Sequence, residues 1–491
     1  MNLIKPTNQL NNAMPSILAL MVGVGVYFFL VGSTSFPLFN DPDTWMHIAA
    51  GRWIYEHQFA PLNDPFSIYF AGQPWVDHEW LAQLLMYLVD QSQGLFGLRV
   101  LSAVLFAMTL VILFKFLLAR VPPIYALLFV FISYFGLVGH LLVRPHLFTW
   151  PIMAFWFCKL FATTENHPSR PPYALCLLMA LWANLHGSFI LGLAFLPLFA
   201  IEAISQEGQA GCKKIALRWT GFTVLCLVFS FITPYGFDGI KLGANLVSSE
   251  YIARIKEWSP SVGAELLVVE LCCAGVLMLA IFGNLKLSVA RTIMFLGLAY
   301  EAIGHARYVS IFGLLMPLIF AKPFGCLCEA RASAFPPGRL DSYFCKLSGF
   351  IRPIPFISII LVCLGLTMFF QRYDSTRVPS FVMPQAAIDA VESNKVHGRV
   401  FNYANFGAYL IYRGIPVFVD GRADLYGNAY LQDYFECASV QNPQKTRECL
   451  DRNYIAWTIF PPEEPINLLL SNSSSWKKIY EDKQAIIYIR T

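Results

Sequence analysis

The sequence predicts a polytopic α-helical membrane protein carrying a small α/β domain at its C-terminal end. Three observations predict it. The 491 residues are 56% hydrophobic and 15% aromatic but only 13% charged, whereas a soluble chain carries roughly 25% charge. Apolar runs near the length that crosses a bilayer recur along the first three quarters of the chain. Beyond residue 372 they stop, and short strand-like and helix-like runs replace them. The net charge of +4 is small and spread over loops, so it points to no nucleic-acid partner.

The apolar runs fall near residues 14–33, 95–118, 123–142, 146–162, 172–187, 188–204, 217–233, 263–283, 288–304, 307–321 and 353–370, about eleven spans in all. The pairs 172–187 with 188–204 and 288–304 with 307–321 have almost nothing between them. They read either as tight hairpins or as longer, broken helices, with bends at Pro145, Pro151, Pro197 and Pro317. The polar stretch 1–12 and the run after it lack a small-residue cleavage site, so the first span is expected to remain in the mature protein.

Charge orients the spans. With the N-terminus in the cytoplasm, fifteen Lys and Arg residues fall in inner loops and seven in the outer loops before residue 372, as the positive-inside rule requires. An odd number of spans then puts residues 373–491 outside. Ten of the twelve cysteines lie in apolar runs or inner loops, where they stay reduced. Cys437 and Cys449 remain, and an outer domain would let them form a disulfide.

The first outer loop, residues 41–92, is the densest polar stretch of the membrane part. It carries Asp41, Asp43, His47, Arg52, Asp64, Asp77, His78 and Glu79 among Trp45, Trp53, Trp75 and Trp80. Residues 43–58 and 77–90 have helical spacing and read as amphipathic helices on the membrane surface, with Thr44 and Asp77 as caps. The later outer loops add Arg144 and His146, then Asn184 and His186, then Tyr235, Glu250, Arg254, Glu257 and Trp258, and last Glu301, His305 and Arg307. Ionisable groups at span ends are costly unless paired or facing water. Five loops converging on one face therefore predict one site there.

In residues 380–491, PQAAIDAVESN reads as a helix and GRVFNYANFGAYLIYRG as a strand and short helix. IPVFVDGRAD reads as a strand ending in a turn, and NYIAWTIF and QAIIYIR as further strands. No Gly-rich segment has the spacing of a phosphate-cradling loop.

The stretch DPDTWMHIAAGRWIYEHQFAPLNDPFSIYFAGQPWVDHEWL, with RPHLFTW, WANLHGSF, TPYG, EWSP, HARY, GRVFN and VDGRADLYG, resembles a group of bacterial membrane proteins of the GT-C glycosyltransferase superfamily. The resemblance runs from about Asp41 to the C-terminus. More distant relatives are the protein O-mannosyltransferases and the catalytic subunit of oligosaccharyltransferase. It implies a GT-C-like membrane domain, 1–372, and an extracytoplasmic domain, 373–491, in a bacterial inner membrane. It also implies transfer of a sugar from a polyprenyl-phosphate-linked donor to an extracytoplasmic cell-envelope glycan, lipid or protein. Asp41 matches the first-loop acid of those enzymes best, with Asp43 beside it. The second outer loop departs from the oligosaccharyltransferase pattern, holding Arg144 and His146 where an acidic motif would help bind a divalent metal. The WWD-type acceptor motif is also missing. A metal is therefore not expected, and neither is glycosylation of a sequon.

Such a reaction needs a base for the acceptor proton and cationic or donor groups for the leaving phosphate. Asp41 and Asp43 are the base candidates; the plainer role for either is to cap the helix that follows. Asp77, His78 and Glu79 either orient the acceptor and tune the base or form a helix cap. Arg144, His146, His186, His305 and Arg307 suit phosphate, and each alone is equally a snorkelling interfacial residue. His47, His78, His146, His186 and His305 lack metal-ligand spacing. The loop tryptophans read first as an interfacial belt. Asp420, Arg422 and Asp424 meet an acceptor, fold onto the first loop or pair with each other in a turn. The rival functions are a flippase for a lipid-linked intermediate, against which stand the absence of internal repeats and mid-membrane charge, and a non-catalytic scaffold.

Overall fold

The computed structural model describes residues 14–33, 36–207, 211–241, 256–331, 339–349, 351–374 and 376–491. Glu250 and Arg254 lie outside the described residues. The membrane part begins with α1 (Ile17–Gly32), where Ser16 Oγ caps the helix by accepting from the Ala19 N–H at 3.1 Å. The first loop holds α2 (Asp43–His57), and α3 (Trp80–Leu118) follows it. At 1.5 Å per residue, the 39 residues of α3 would run for about 58 Å, far more than the roughly 30 Å hydrocarbon core. Gly94, at φ 57°, breaks it into an outer arm and a membrane span, a conformation that favours glycine.

The bundle continues through α4 (Pro123–Val138), α5 (His146–Asn166), α6 (Leu175–Leu185), α7 (Phe189–Ala194), α8 (Leu196–Glu207) and α9 (Cys212–Ser230). It ends with α10 (Gly263–Gly283), α11 (Val289–Gly304), α12 (Tyr308–Arg331), the short α13 (Arg339–Leu347) and α14 (Pro353–Arg372). Six helices among the described residues are long and apolar enough to cross a membrane, and α1, α4 and α6 are shorter apolar helices. The chain is a multi-pass membrane protein. The run at 172–204 is broken at His186, whose backbone is extended and whose Nδ1 accepts the Ser188 N–H at 3.1 Å. The run from 288 is a hairpin that turns at His305–Arg307 between α11 and α12.

Close helix crossings rely on glycine. Gly136 of α4 and Gly313 of α12 face each other so tightly that a Cβ on either would sit 2.7–2.8 Å from the other's Cα. At the opposite ends of the helices from the first loop, Arg291 bonds Glu165 at 2.8 Å and Glu202 at 3.0 Å, and Arg120 bonds Glu165 at 2.6 Å. This buried network ties α5, α8 and α11 to the segment after α3. Its charges are mutually compensated, so it fixes register rather than adding much net stability.

The C-terminal domain contains α15 (Gln385–Ser393), β1 (Arg399–Asn402), α16 (Ala404–Tyr412), α17 (Ala423–Ser439), α18 (Pro443–Arg452), β2 (Ile455–Phe460), α19 (Pro465–Ser471), β3 (Trp476–Glu481) and β4 (Ile486–Arg490). The sheet order is β1-β2-β4-β3, with β1 and β2 parallel and the other pairs antiparallel. The segment IPVFV joins no strand of this sheet. Instead Val417 pairs with the first loop: Ile68 N–H donates to Val417 O at 2.8 Å, and Val417 N–H to Phe66 O at 3.1 Å. Sequence reading found a strand there but could not see that its partner lies 350 residues earlier.

Cys437 and Cys449 form a disulfide joining α17 and α18, with Cα atoms 6.4 Å apart. Both are expected to resist maleimide labelling in the folded protein until a reductant is added; ready labelling of both without reductant would contradict the bond.

Candidate functional site

The first loop is not a free amphipathic surface element, because most of α2 is buried inside the protein. Helix α2 is wedged between the outer arm of α3 and α16, with Trp45 and Ile48 buried. Trp45 packs on Tyr409 and Tyr412, with ring centroids 5.7 and 5.0 Å away. Trp75 is buried under the Arg422 guanidinium, 4.7 Å from its ring centre. These two tryptophans form the seam between the two domains, not an interfacial belt. The expected caps also differ. Thr44 Oγ1 donates to Val143 O at 2.9 Å, tying α2 to the second outer loop, and Asp77 accepts from Gln83 Nε2 at 2.8 Å. Asp41 turns back on the start of α2, its Oδ1 accepting the Asp43 N–H at 2.8 Å.

Arg144 is the hub of the site. Its Nη1 lies 3.0 Å from Asp41 Oδ2 and 2.6 Å from Glu257 Oε1, and its Nη2 lies 3.1 Å from Asp43 Oδ2. Three carboxylates from two loops thus share one guanidinium. Burial works against the Arg144 charge, but Asp41, Glu257 and Asp43 outweigh it and hold the group ionised. The three acids are not equivalent. Both oxygens of Asp41 are engaged, and its side chain is only 8% exposed. Asp43 is 23% exposed, and burial in the cleft together with Asp41 pushes its carboxyl up to about 7. Glu257 moves the other way: against the cost of burial, Arg144 keeps it below the usual range.

Beside this hub, Glu79 gathers three imidazoles. Its Oε1 is 3.3 Å from His186 Nε2 and 3.8 Å from His78 Nε2, and its Oε2 is 3.6 Å from His47 Nδ1. Burial raises the Glu79 pKa, while His78, Arg144 and Arg307 oppose the rise. His47 is buried and held neutral by that burial. Because His186 Nδ1 accepts the Ser188 N–H, its Nε2 carries the ring proton and faces Glu79 as a donor. That nitrogen has no lone pair to give a metal, so the cluster suits proton placement better than ligation. Among the described residues, the one group of donors close enough to share an ion is Asp433, Cys437 and Cys449, and its sulfurs are tied up in the disulfide.

Most of the predicted residues meet here: Asp41, Asp43 and Arg144 at the hub, and His47, His78, Glu79 and His186 beside it. His146 joins at the edge, its ring 6.3 Å from that of His186 and its Nε2 bonded to His140 O at 2.9 Å. Arg307 lies over the Trp258 ring, 4.3 Å from its centre; among the described residues its guanidinium has no ion pair. His305 stands apart. Its Nδ1 donates to Trp258 O at 2.9 Å and its Nε2 is 3.8 Å from Glu301, so it braces Trp258 beneath Arg307.

Sequence reading placed Glu257 on the outer face without a specific role and passed over His140 and Gly421. Gly421 of the C-terminal domain sits directly against the Asp43 carboxylate, and a Cβ there would collide with it. The VDGRAD turn delivers it. Arg422 bonds Asp64 and Asp420 at 2.6 Å each, and Tyr426 OH donates to Asp420 at 2.7 Å. The internal ion pair and the docking onto the first loop are therefore the same structure.

No protein-family model matches the chain, and no curated protein sequence does either. Solved structures do match. The Archaeoglobus fulgidus oligosaccharyltransferase, tethered to an acceptor peptide containing the NVT sequon, aligns with a TM-score of 0.54 at 12% identity, covering 91% of this chain and 69% of that one. Its apo form aligns at 0.53 and 10% identity, covering 93% and 70%. ArnT from Cupriavidus metallidurans, bound to undecaprenyl phosphate, aligns at 0.51 and 12% identity, covering 96% of this chain and 97% of that one. At these identities the likeness shows the fold, and the fold is of the GT-C type.

Proposed function

We propose that this GT-C-type membrane protein transfers a sugar from a polyprenyl-phosphate-linked donor to a hydroxyl-bearing acceptor of the cell envelope, at the extracytoplasmic face of a bacterial inner membrane. The observation that carries this reading is the Arg144 hub, where first-loop acids meet Arg144 and Glu257 beside a guanidinium, Arg307, that has no ion-pair partner among the described residues. Asp43 is the base. It is the more exposed of the first-loop pair, and its carboxyl changes charge near neutrality, where a general base works best. Asp41 and Arg144 hold it in place.

In the step itself, the acceptor oxygen bonds to the anomeric carbon, its proton passes to Asp43, and the bond from that carbon to the phosphate oxygen breaks. The polyprenyl phosphate leaves with the electron pair. Arg307, uncommitted to any acid among the described residues, meets that charge. The Glu79 imidazole cluster orients the acceptor. An apolar groove of about 440 Å³ between α4, α10 and α12 supports a prenylated donor, because its α4 wall ends at Phe135, five residues before His140.

Purified protein incubated with a panel of polyprenyl-phosphate sugars is expected to release free polyprenyl phosphate from at least one of them. Arg307→Gln should raise KM for that donor roughly tenfold or more, the loss of one charged contact. No release from any donor, with movement of the intact lipid-linked sugar across vesicles instead, would leave the flippase reading standing.

The eleven-span topology belongs to the same proposal. Alkaline phosphatase fused after Ser380 is expected to be active, and fused after Ser348 inactive. The reverse pattern would invert the protein in the membrane and remove the site from the outer face.

A further inference from the structure

A second groove opens at the other end of the bundle. It encloses about 1130 Å³ between α1, α3, α5 and α14, more than the roughly 300–1,000 Å³ of pockets that hold drug-sized ligands. Its walls are apolar along most of their length, with Val104, Val111, Ile360 and Leu364 among them. At one end they carry Lys115, Lys159 and His167, and among the described residues no carboxylate lines the groove. Lys159 and His167 are exposed.

The depth of the groove identifies its occupant. Val104 and Lys115 both line it and stand eleven residues apart on α3, a rise of about 16 Å. That is half the roughly 30 Å hydrocarbon core, the depth of one leaflet. The basic end lies with Arg120 and the Arg291 network, away from the candidate site. We infer that this groove binds an anionic glycerophospholipid of the cytoplasmic leaflet, its acyl chains against α3 and α14 and its phosphate at Lys115, Lys159 and His167. Only the choice of leaflet rests on the orientation proposed above.

The lipid has a structural task to perform. Helix α14 has no buried residue and packs on α1, yet it tethers the C-terminal domain. Its polar contacts to the bundle are Tyr27 OH with Thr367 Oγ1 at 2.6 Å, at the groove wall, and Gln371 Nε2 donating to Gln93 Oε1 at 2.7 Å near its outer end. Acyl chains filling the groove join α14 to α5 and complete its packing.

Native mass spectrometry of the full-length protein with phosphatidylglycerol and phosphatidylcholine tests this. Wild type is expected to retain phosphatidylglycerol in preference to phosphatidylcholine. Lys115→Gln/Lys159→Gln should reduce that preference about fivefold for each lysine, the usual strength of a basic residue at an anionic surface. Lys159→Gln alone changes an exposed side chain and keeps the test open should the double variant fail to fold. Lys213→Gln/Lys214→Gln, exposed at the start of α9 outside the groove, should leave the preference intact. Equal retention of both lipids by wild type, an unchanged preference in the groove variants, or an equal loss in the α9 variant each overturns the site. Donor consumption is read separately, so the two proposals fail independently.

Discussion

Asp43→Asn is expected to lower transfer about 10²–10⁴-fold, the range that loss of a positioned general base gives, with little change in donor KM. The amide keeps the shape of the carboxylate beside Arg144 and Gly421 but cannot take a proton. The wild-type pH profile carries the same information. The base works in its ionised form, and the Asp43 carboxyl sits near 7 because burial and the Asp41 charge oppose ionisation while Arg144 favours it. Transfer should therefore rise with pH through about 7. Glu257→Gln removes a further negative charge that raises the Asp43 value, so the acid limb should move to lower pH. An acid limb that stays put in Glu257→Gln and survives in the residual activity of Asp43→Asn would assign the base elsewhere.

Arg422→Ala is expected to cost about 3–5 kcal/mol, the penalty for breaking a buried ion pair from one side. Arg422 is 4% exposed and both its acids are fully buried. The loss leaves Asp64 and Asp420 as uncompensated charges and uncovers Trp75. Because Arg422 holds Gly421 against Asp43, the variant should also lose transfer, and limited proteolysis should release the C-terminal domain sooner. Arg413→Ala serves as the control. Its partners Asp389 and Glu392 are about half exposed, so it should cost about 0–1 kcal/mol. Equal stability of the two variants would show that the Arg422 ion pairs do not hold the C-terminal domain against the first loop.

Most of the ionisable side chains that meet around Arg144 and Glu79 stood out in the sequence; how they pair did not. Asp41, Asp43, Arg144, His186 and Arg307 stand out because an ionisable group at the end of an apolar run is expensive wherever the chain folds. Nothing local distinguishes His305, which braces Trp258, from His186, which faces Glu79. Gly421 carries no chemistry of its own and becomes informative only when Asp43 is seen against it. The helix caps misled for a related reason. Thr44 and Asp77 have the side chains of good caps, but Thr44 found a buried partner in Val143 O, far along the chain, and Asp77 in the Gln83 side chain of the first turn of α3.

The sequence by itself determined that this is a multi-pass membrane protein with a polar face and a separate C-terminal domain. Those properties follow from sums over many residues, namely apolar length, loop charge and strand periodicity, which do not depend on which segments meet. Only the tertiary structure decided that three carboxylates share Arg144, that Arg307 stands beside them with no ion pair among the described residues, and that the C-terminal domain closes the site through Gly421 and Arg422. Each of these rests on one or two contacts between segments far apart in the chain. The low dielectric that gives such contacts their strength exists only once the segments have packed.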